Sequence, residues 1–553
     1  MFVHDAGAVI EMFKNSFPYS LIYFIPLLVI IAPTNPVSAA QEFAVYRMQH
    51  FDLQNTVYGS RGALVNVEAR SIDARMLTRR CVLAKLAEVT AEKIRDMLTQ
   101  NAAGIMIILP AKLWEMGKED QDHLLNLEKE LMSEEISMPI YFTTTTEEIE
   151  KIYNDVKVAV NSDQSPSAAE AIIKSASANG YQIVINGANV RAMNDYQLTN
   201  IHAKLTGNGV EEQLPTIALV AHYDSTGIAP GLAKGADSNA SGVIALLEIA
   251  RLFSKLYSSS RTHAKLNIVF LLSSAGKFSY QGTKRWIEEQ LESGENTLLQ
   301  DVSVVLCIDS IGKGNAINMH VSKPPKEFSS AHAILNLLES VSAENGIQAT
   351  MIHKKINLAN EFLAWEHERF SIRRIPAVTL SAYETHKGSL RQSILDTREN
   401  VDVSVLSRNI RILAEVLGRY AYGLTPKNNT EIIRDSLKVD EELVSSWLSV
   451  LTNESRAAQI LHHKHHLVHS LYYTLNKYLK DAKKTYIKAD KRDPEFIFYD
   501  GHEYVVNIYS IKPAVFDLFL AVAIAGYLGA LYLFLAVKFQ HRIQDNAPYI
   551  TKH

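Results

Sequence analysis

Between residues 182 and 424, short apolar runs alternate with segments whose apolar residues recur at helical spacing. The runs "TIALVAHYD", "KLNIVFLLSS", "VSVVLCIDS" and "PAVTLSAY" are rich in β-branched residues and indicate buried strands. The segments "SGVIALLEIARLFSKLY" and "LSRNIRILAEVLGRYAYG" are typical of amphipathic helices. Apolar strands separated by such helices predict an α/β fold, with a mostly parallel sheet flanked by helices on both faces.

Shorter strand-like and helix-like segments precede this region and predict a smaller N-terminal α/β domain over residues 41–180. They include the helix-like "RCVLAKLAEVTAEKIRDMLTQ" and the apolar run "GIMIILP". The polar stretch "NSDQSPSAAE" at residues 161–170 is typical of a surface connection. The larger domain is therefore expected over residues 181–425.

Residues 426–513 are predicted to form a membrane-proximal helical and hairpin subdomain, because the pattern there becomes helical and basic. This region ends in "EFIFYDGHEYVVNIYS", which has two strand-like halves around Asp500 and Gly501. An Asp-Gly dipeptide favours a tight two-residue turn. The two halves are therefore expected to pair with each other as a β-hairpin.

An apolar run near the start of the chain predicts a signal peptide over residues 1–40. Residues 17–32, "FPYSLIYFIPLLVIIA", are short for a membrane span and are followed by small residues at positions 38–40. Small residues after a short apolar run are typical of a signal-peptidase cleavage site. Because the preceding region carries a single lysine, an uncleaved anchor is the alternative.

A second apolar run, "LFLAVAIAGYLGALYLFLAV", predicts a transmembrane helix over residues 514–537. It contains no charged residue, and about 20 apolar residues are enough to cross a bilayer core. Lys538 and Arg542 follow it, and positive charge favours the cytoplasmic side. The tail, residues 538–553, is therefore expected in the cytoplasm, and residues 41–512 in the lumen or outside the cell.

Composition narrows the class of protein further. The chain has 553 residues and a formal net charge of -4, with dispersed basic residues. A nucleic-acid-binding footprint would require clustered Lys and Arg, so nucleic acid is not expected as a partner. Two cysteines, Cys81 and Cys307, cannot form a disulfide framework. Two buried thiols are expected, with a single bridge as the alternative.

The side chains that could bind a metal or a substrate lie where predicted strands end. "VAHYDSTGIAPGLAKGADSNASG" runs from the end of a predicted strand into a helix at residues 220–242, and "CIDSIG" ends another strand. Ligand sites in such sheets lie beyond the carboxyl ends of the strands. His222, Asp224 and Asp309 are therefore expected at one edge. The order and spacing of these motifs and of "DTRENVD" resemble the M28 family of di-zinc aminopeptidases, and the whole layout is similar to the nicalin family, relatives of nicastrin.

The resemblance implies a site that has lost most of its metal ligands. Members of the M28 family hold two zinc ions with a His, a bridging Asp, a Glu, an Asp and a His, and use a second Glu as general base. A catalytic zinc normally has three protein ligands, and a lysine ammonium repels a dication. The corresponding positions here are His222, Ser238, Gly276, Lys277, Asp309 and Gln392. Asp224 is expected to orient His222, as carboxylates beside a metal-binding histidine do. With only His222 and Asp309 matching, the resemblance predicts no metal, no cofactor and no peptidase activity.

The alternative is an active zinc peptidase with rearranged ligands. Asp237 lies one residue before the bridging position, and His386 lies six residues before Gln392. "LHHKHHLVH" at residues 461–469 adds a third source. On a helix it would place His462 near His466, and His465 near His469, as i,i+4 pairs. Because the sequence shows no carboxylate near this cluster, we expect a helix that faces solvent or a partner.

Lumenal placement would expose Asn-x-Ser/Thr acceptor sites to glycosylation. Such sequences occur at Asn239, Asn428 and Asn453. Asn239 lies in the tight loop of the resembled metal site and is expected to be too enclosed for a glycan. Asn428 and Asn453 are therefore the predicted acceptor sites.

The resemblance to the nicalin family also implies a place of action. That family resides in the endoplasmic reticulum membrane as single-pass type I proteins. It associates with Nodal modulator and a small multi-pass membrane protein, and is linked to the translocon that inserts multi-pass proteins into the lipid bilayer. The resemblance thus implies an inactive scaffold in such a complex. A substrate-capturing subunit of an intramembrane protease, by analogy with nicastrin, is a further alternative.

Overall fold

The computed structural model describes residues 41–511, together with residues 518, 520–533 and 536. Within residues 41–511 it leaves out residues 65, 163–179, 186, 188–189, 211–212, 295–296, 300, 426–429, 491 and 493. The predicted signal peptide, the acceptor Asn428 and the predicted cytoplasmic tail lie outside the described residues.

Nineteen strands and ten helices are named here in chain order. The strands are β1 (Gln41–Arg47), β2 (His50–Leu53), β3 (Thr56–Ser60), β4 (Asn66–Ser71), β5 (Cys81–Lys85), β6 (Gly104–Leu109), β7 (Glu135–Ile136), β8 (Ile140–Thr144), β9 (Gly180–Ile185), β10 (Gln197–Leu205), β11 (Thr216–His222), β12 (Asn267–Ser273), β13 (Val302–Ile308), β14 (Ala316–Val321), β15 (Gln348–His353), β16 (Ala377–Ser381), β17 (Lys483–Lys488), β18 (Phe496–Phe498) and β19 (Glu503–Ile511). The helices are α1 (Ala91–Thr99), α2 (Lys118–Leu131), α3 (Glu147–Ser162), α4 (Gly242–Tyr257), α5 (Gln281–Glu292), α6 (Ser330–Glu344), α7 (His367–Ile372), α8 (Val403–Ala421), α9 (Glu441–Asn453) and α10 (His466–Leu479).

An eight-stranded sheet forms the centre of the molecule, in the order β15-β14-β16-β13-β11-β12-β10-β17. The central pairs β12-β11, β11-β13 and β13-β16 are parallel, whereas β10 and β17 run antiparallel at one edge. Every residue of β11 and β12 is buried, which explains why the positions between their polar end residues are apolar. The predicted α/β sheet flanked by helices is confirmed.

The two faces of this sheet bury different helices. Ile217 and Leu219 pack in one apolar cluster with residues of α4, α8 and α10. Ala218 and Val220 face the opposite side, in a cluster with Trp286 of α5 and residues of α7. Successive residues of a strand point to opposite faces, so both faces of β11 must be apolar. The candidate site lies at the strand ends of this core, which is packed on both faces.

The N-terminal part forms a seven-stranded sheet that closes on itself, in the order β1-β19-β9-β4-β5-β6-β8. One of its strands, β19, comes from the far end of the chain and pairs antiparallel with β1 and β9. Val506 and Ile508 of β19 are buried in the interior of this sheet. The smaller unit is therefore assembled from both ends of the described chain.

The predicted hairpin at Asp500 and Gly501 is wrong. β18 pairs with β2 in a small four-stranded sheet, whereas β19 pairs with β1 and β9. Phe496 and Phe498 of β18 are buried in a separate aromatic cluster with Phe51. Each half thus buries its own apolar side chains against a different N-terminal partner. The turn residues allow a sharp reversal, but tertiary burial decides the pairing.

Residues 430–490 do not form the separate subdomain that the sequence suggested. α9 and α10 place Leu448, Leu467 and Leu471 in the same buried cluster as α4, and β17 extends the large sheet through its pairing with β10. The described helical residues 520–533 belong to the predicted transmembrane segment. Among the described residues, no helix is both long enough and apolar enough to cross a membrane, and the span stays a prediction.

The closed sheet is attached to the large domain by a buried carboxylate. Glu128 of α2 is 2% exposed and accepts hydrogen bonds from the backbone N–H groups of Ile228 and Ile394, each at 3.1 Å. Ile228 and Ile394 also pack into the apolar cluster of the N-terminal unit. Burial raises the pKa of Glu128 to about 7. This contact fixes the loops at 228 and 394, which flank the candidate site.

Candidate functional site

The candidate site lies at the carboxyl ends of β11, β12 and β13. His222 is the last residue of β11, and Asp309 directly follows β13. Both are buried, and they meet at one edge as the sequence predicted. Gly276, Lys277 and Gln392 line a cavity of about 460 Å³ beside them.

A lysine ammonium and a serine hydroxyl meet where the M28 pattern would place carboxylates. Lys277 is 8% exposed, and its Nζ donates hydrogen bonds to Ser238 Oγ and, at 3.0 Å, to the carbonyl of Arg391. Burial lowers the pKa of Lys277 to about 8, an effect opposed by the Asp309 carboxylate. Lys277 therefore remains mostly an internal cation at neutral pH.

Arg391 holds the surviving carboxylate. Its Nη2 donates to Asp309 Oδ2, and Ser310 Oγ donates to Oδ1 of the same side chain at 2.6 Å. Burial alone would raise the pKa of Asp309, but the charges of Arg391 and Lys277 outweigh it and hold this pKa below its usual range. The guanidinium also lies 4.3 Å from the ring centre of Trp365. Asp309 is therefore an ionised partner of Arg391.

His222 is oriented by a residue that sequence reasoning missed. Its Nδ1 lies 3.4 Å from Glu366 Oε2, and Glu366 Oε1 accepts from Ser273 at 2.7 Å and Thr283 at 2.6 Å. Asp224 had been expected to orient His222. Glu366 is 144 residues from His222 and precedes the short helix α7, so no local spacing connects the two.

Asp224 has a different role from the one expected. Its two carboxylate oxygens accept the backbone N–H groups of Gly276 at 2.7 Å and Lys277 at 3.0 Å. A carboxylate that accepts two adjacent backbone donors fixes the local chain direction. Asp224 thus holds the loop after β12 against the end of β11, which sets where Lys277 enters the cavity.

The ring of His222 occupies the space beside Gly276. A Cβ atom built on Gly276 would lie 2.3 Å from both Cβ and Cγ of His222. No side chain fits there while His222 keeps its position. The glycine at the position of the M28 family's glutamate is therefore required by the packing of its neighbour.

The turn at residues 236–241 is held by buried polar groups. Asp396 accepts the backbone N–H of Ser238 at 2.8 Å and that of Asp237 at 3.0 Å. Asn239 donates to the carbonyls of Ile308 at 2.9 Å and His222 at 3.1 Å, and accepts from two backbone N–H groups. Most of these hydrogen bonds of the buried amide link the ends of neighbouring strands to the turn. No space remains there for a glycan.

Asp237 does not replace the missing bridging ligand in this arrangement. Its Oδ1 accepts from the N–H of Gly312 at 2.8 Å and from Ser241 Oγ at 3.1 Å. Burial, followed by the neighbouring Asp396 carboxylate, raises the pKa of Asp237 to about 7. A buried carboxyl whose charged form is disfavoured makes the folded state sensitive to pH.

Replacing Asp237 with asparagine is expected to stabilise the chain at alkaline pH. The folded chain holds a proton on Asp237 between about pH 4 and 7 that the unfolded chain has lost, so its contribution to stability falls as the pH rises through this window. Asparagine keeps the Oδ1 acceptor and removes the titration. The free energy of unfolding of Asp237→Asn, relative to that of the parent chain, is expected to rise by roughly 1–3 kcal/mol as the pH increases from 4 to 8. Urea unfolding at a series of pH values measures this difference.

The control for this titration is Asp435→Asn, because Asp435 has a side chain that is 88% exposed. Its stability difference from the parent is expected to stay constant over the same pH range. A constant difference for Asp237→Asn as well would contradict the raised pKa of Asp237.

The imidazole of His386, the second possible substitute ligand, contacts the ammonium group of a lysine. Both of its ring nitrogens lie 3.2 Å from Lys354 Nζ. Burial and then the charges of Lys354 and Arg391 lower the pKa of His386 to about 4. It lines the cavity with Lys277 and Gln392 as a neutral side chain at pH 7.

The histidine cluster is arranged differently from the predicted helix. α10 begins only at His466, and His465 caps it by accepting the N–H of Leu467. His462 therefore lies before the helix, and the expected helical pairing of His462 with His466 is wrong. Ligand atoms of Glu454, His465 and His466 lie within 4.8 Å of one another. The carboxylate that the sequence lacked locally comes from the residue after α9.

As arranged, the side chains at the strand ends do not fit a pair of zinc ions. An ammonium bonds Ser238, a guanidinium bonds Asp309, and the Gly276 position has no space for a ligand. Two adjacent dications require several anionic ligands. Within the part of the chain that the structure describes, the one group of three metal-capable side chains is Glu454, His465 and His466 at the surface.

Comparison with known proteins agrees with this architecture. The profile of Peptidase family M28 matches residues 200–417. The crystal structure of the gamma-secretase component Nicastrin shares the fold with a TM-score of 0.59, at 13% identity, covering 84% of this chain and 99% of that chain. At such low identity the likeness concerns the fold alone.

Sequence similarity to curated relatives is much higher. BOS complex subunit NCLN of Homo sapiens is 46% identical over 96% of each chain. BOS complex subunit ncln of Danio rerio is 46% identical over 99% of this chain and 100% of its own length. Nicalin of Caenorhabditis elegans is 28% identical over 98% of this chain and 99% of its own. With an M28-like domain, a nicastrin-like fold and these full-length relatives, the chain belongs to the nicalin family.

Proposed function

We propose that this chain is a catalytically inactive, aminopeptidase-like scaffold that serves as a subunit of a membrane protein complex. The observation that carries the proposal is the pair of buried cations, Lys277 and Arg391, bonded to Ser238 and Asp309, two residues that the resemblance matches to metal-ligand positions. The names of its relatives as BOS complex subunits support the role in a complex.

The proposed inactivity follows from the chemistry that peptide hydrolysis requires. A di-zinc hydrolase needs metals to activate water and polarise the carbonyl, and a general base to move the proton. At the two positions that supply the base and a ligand in the M28 pattern, this chain has Gly276 and Lys277. A glycine has no proton acceptor in its side chain, and the Lys277 ammonium repels a dication. Substrate could enter the cavity but would meet no activated water.

The proposed complex lies in the endoplasmic reticulum membrane, with residues 41–512 in the lumen and one C-terminal span. Its proposed partners are Nodal modulator, a small multi-pass membrane protein and the translocon, and its task is the biogenesis of multi-pass proteins. Asn453 is exposed at the end of α9, which suits the proposed lumenal glycosylation. Affinity purification from solubilised microsomes should recover these partners, and recovery of an intramembrane protease instead would favour the substrate-capturing role.

Zinc analysis of the full chain tests the inactivity. Purified in detergent and passed through gel filtration, the chain is expected to hold no zinc at the cavity and to release no amino acid from aminopeptidase substrates. Zinc is measured by elemental mass spectrometry. Because Glu454, His465 and His466 offer a surface site, the double variant His465→Ala/His466→Ala is analysed in parallel.

The two variants separate the two sources of metal. Zinc lost in His465→Ala/His466→Ala and unchanged in His222→Ala would belong to the surface group and leave the proposal intact. Zinc that persists in the double variant, disappears in His222→Ala and accompanies aminopeptidase activity would overturn it.

A further inference from the structure

We propose that the cavity beside the former metal site binds a carboxylate group of an extended peptide, held by Lys277 and Arg391. The inference rests on the proposed inactivity, because bound zinc would occupy the same edge of the sheet. It concerns a ligand opposite in charge to the free amino terminus that an aminopeptidase recognises.

The cavity has the size and the wall of a peptide site. Its volume of about 460 Å³ falls in the range of about 300–1,000 Å³ that is usual for ligand pockets. Tyr58, Phe362 and Leu363 provide an apolar and aromatic part of the wall. Such a wall suits an amino-acid side chain and gives a small inorganic anion little to contact.

Both buried cations that line the cavity retain hydrogen-bonding capacity. A lysine ammonium has three donors, and two of those of Lys277 are directed at Ser238 and the carbonyl of Arg391. The Nε of Arg391 is buried and has no hydrogen-bond partner among the described residues. A buried donor without a partner costs free energy. A carboxylate entering the cavity would supply acceptors to both cations.

The charges that line the cavity favour an anion. Lys277 and Arg391 are opposed by one lining carboxylate, Glu361, which accepts from Thr56 at 2.8 Å and from Tyr58. His386 also lines the cavity, and its lowered pKa leaves it neutral at pH 7. The lining therefore presents two cations against one carboxylate that is already hydrogen-bonded.

Two further buried carboxylates lie behind the cavity wall, and Asp309 compensates the charge of Arg391 from there. Asp309 bonds Arg391, and Asp224 accepts two backbone N–H groups of the loop at Gly276. Neither contributes to the lining of the cavity. A peptide amine would meet the ammonium and the guanidinium first, and like charges at short range in a low-dielectric site repel strongly.

Pools of randomised peptides test the proposal, so the sequence of the natural ligand need not be known. The full chain in detergent is heated with a pool of N-acetylated tripeptides that end in a free carboxylate, and with the same pool as C-terminal amides. The acid pool is expected to raise the unfolding temperature by about 1–3 °C, and the amide pool by much less. Inorganic phosphate and a pool with free amino termini and amidated carboxyl ends are the other two arms.

Two substitutions with opposite expected effects keep the test independent of folding. Lys277→Met is expected to weaken binding of the acid pool about tenfold or more, since hydrogen bonds to charged groups are strong. Glu361→Gln removes the lining anion and keeps the hydrogen-bonding shape, so it should tighten binding about two- to threefold, as expected for a partly exposed charge. Both affinities are taken from the dependence of the unfolding temperature on peptide concentration.

The remaining outcomes decide against the proposal. Equal shifts with acid and amide pools, a larger shift with free amino termini, or no shift with any pool would overturn it. A shift with phosphate as large as with the acid pool would show a general oxyanion site and overturn the peptide assignment. Zinc is measured in the same sample, so that a cavity filled with metal is recognised as a failure of the proposed inactivity instead.

Discussion

Replacing Arg456 with methionine is expected to destabilise the folded chain by about 3–5 kcal/mol, because several buried carbonyl groups lose a charged hydrogen-bond donor at once. Arg456 is 1% exposed and follows α9. Its guanidinium donates to the carbonyls of Leu451 and Lys234, at 2.8 and 2.9 Å, and to those of Tyr223 and Gly235.

The large effect is expected because methionine cannot donate the hydrogen bonds that the guanidinium makes. Four carbonyl groups, three of them in buried hydrogen bonds, lose their donor, and each unsatisfied buried polar group costs about 1–3 kcal/mol before the structure relaxes. The positive charge near Asp224 is also lost. Since Asp224 holds the loop at Gly276 and Lys277, the damage should extend from the segment after α9 to the candidate site.

Urea unfolding of the full chain measures the loss, and two variants serve as controls. Arg434→Met removes an arginine whose side chain is 68% exposed, and is expected to change stability by less than about 0.5 kcal/mol. Arg456→Lys keeps the charge but loses the planar fork of donors, and should fall between the two. An effect of Arg456→Met no larger than that of Arg434→Met would show that the carbonyls find other partners.

Introducing a glutamate at position 276 is expected to destabilise the chain by at least about 3 kcal/mol and to produce no peptidase activity. The new Cβ would overlap Cβ and Cγ of His222 at 2.3 Å. Overpacking of a close-packed site typically costs about 1–3 kcal/mol, and a carboxylate buried without a partner adds to it. This single substitution is therefore not expected to be tolerated at position 276.

A double-mutant cycle with His222→Gly checks the cause. Glycine removes all three His222 atoms that overlap the new Cβ, namely Cβ, Cγ and Cδ2, so the combined variant should be less destabilised than the sum of the two single variants. Gly117→Glu is the matched control, because a Cβ at that exposed position meets nothing closer than 3.9 Å. Additive effects of the two substitutions would refute the steric explanation.

Much of the candidate site could be predicted from the sequence. Parallel strands end at the same edge of a sheet, so the motifs after β11 and β13 indicated that His222 and Asp309 would meet. The resemblance to the M28 family also implied that Ser238, Gly276 and Lys277 lie nearby. It could not reveal that Lys277 bonds Ser238, that Arg391 holds Asp309 or that Glu366 lies beside His222. These partners are 39, 82 and 144 residues apart.

The sequence by itself determined the local elements of this protein: the buried strands, the amphipathic helices and the glycine-rich turn between them. These follow from patterns with a period of a few residues. Only the tertiary structure decided that β18 and β19 separate, that β19 closes a sheet built from the start of the chain, and that the cavity is lined by two buried cations. These features depend on which apolar surfaces pack together and which charged groups pair when they are buried. The residues concerned are far apart in the chain, so the local sequence pattern does not indicate their contacts.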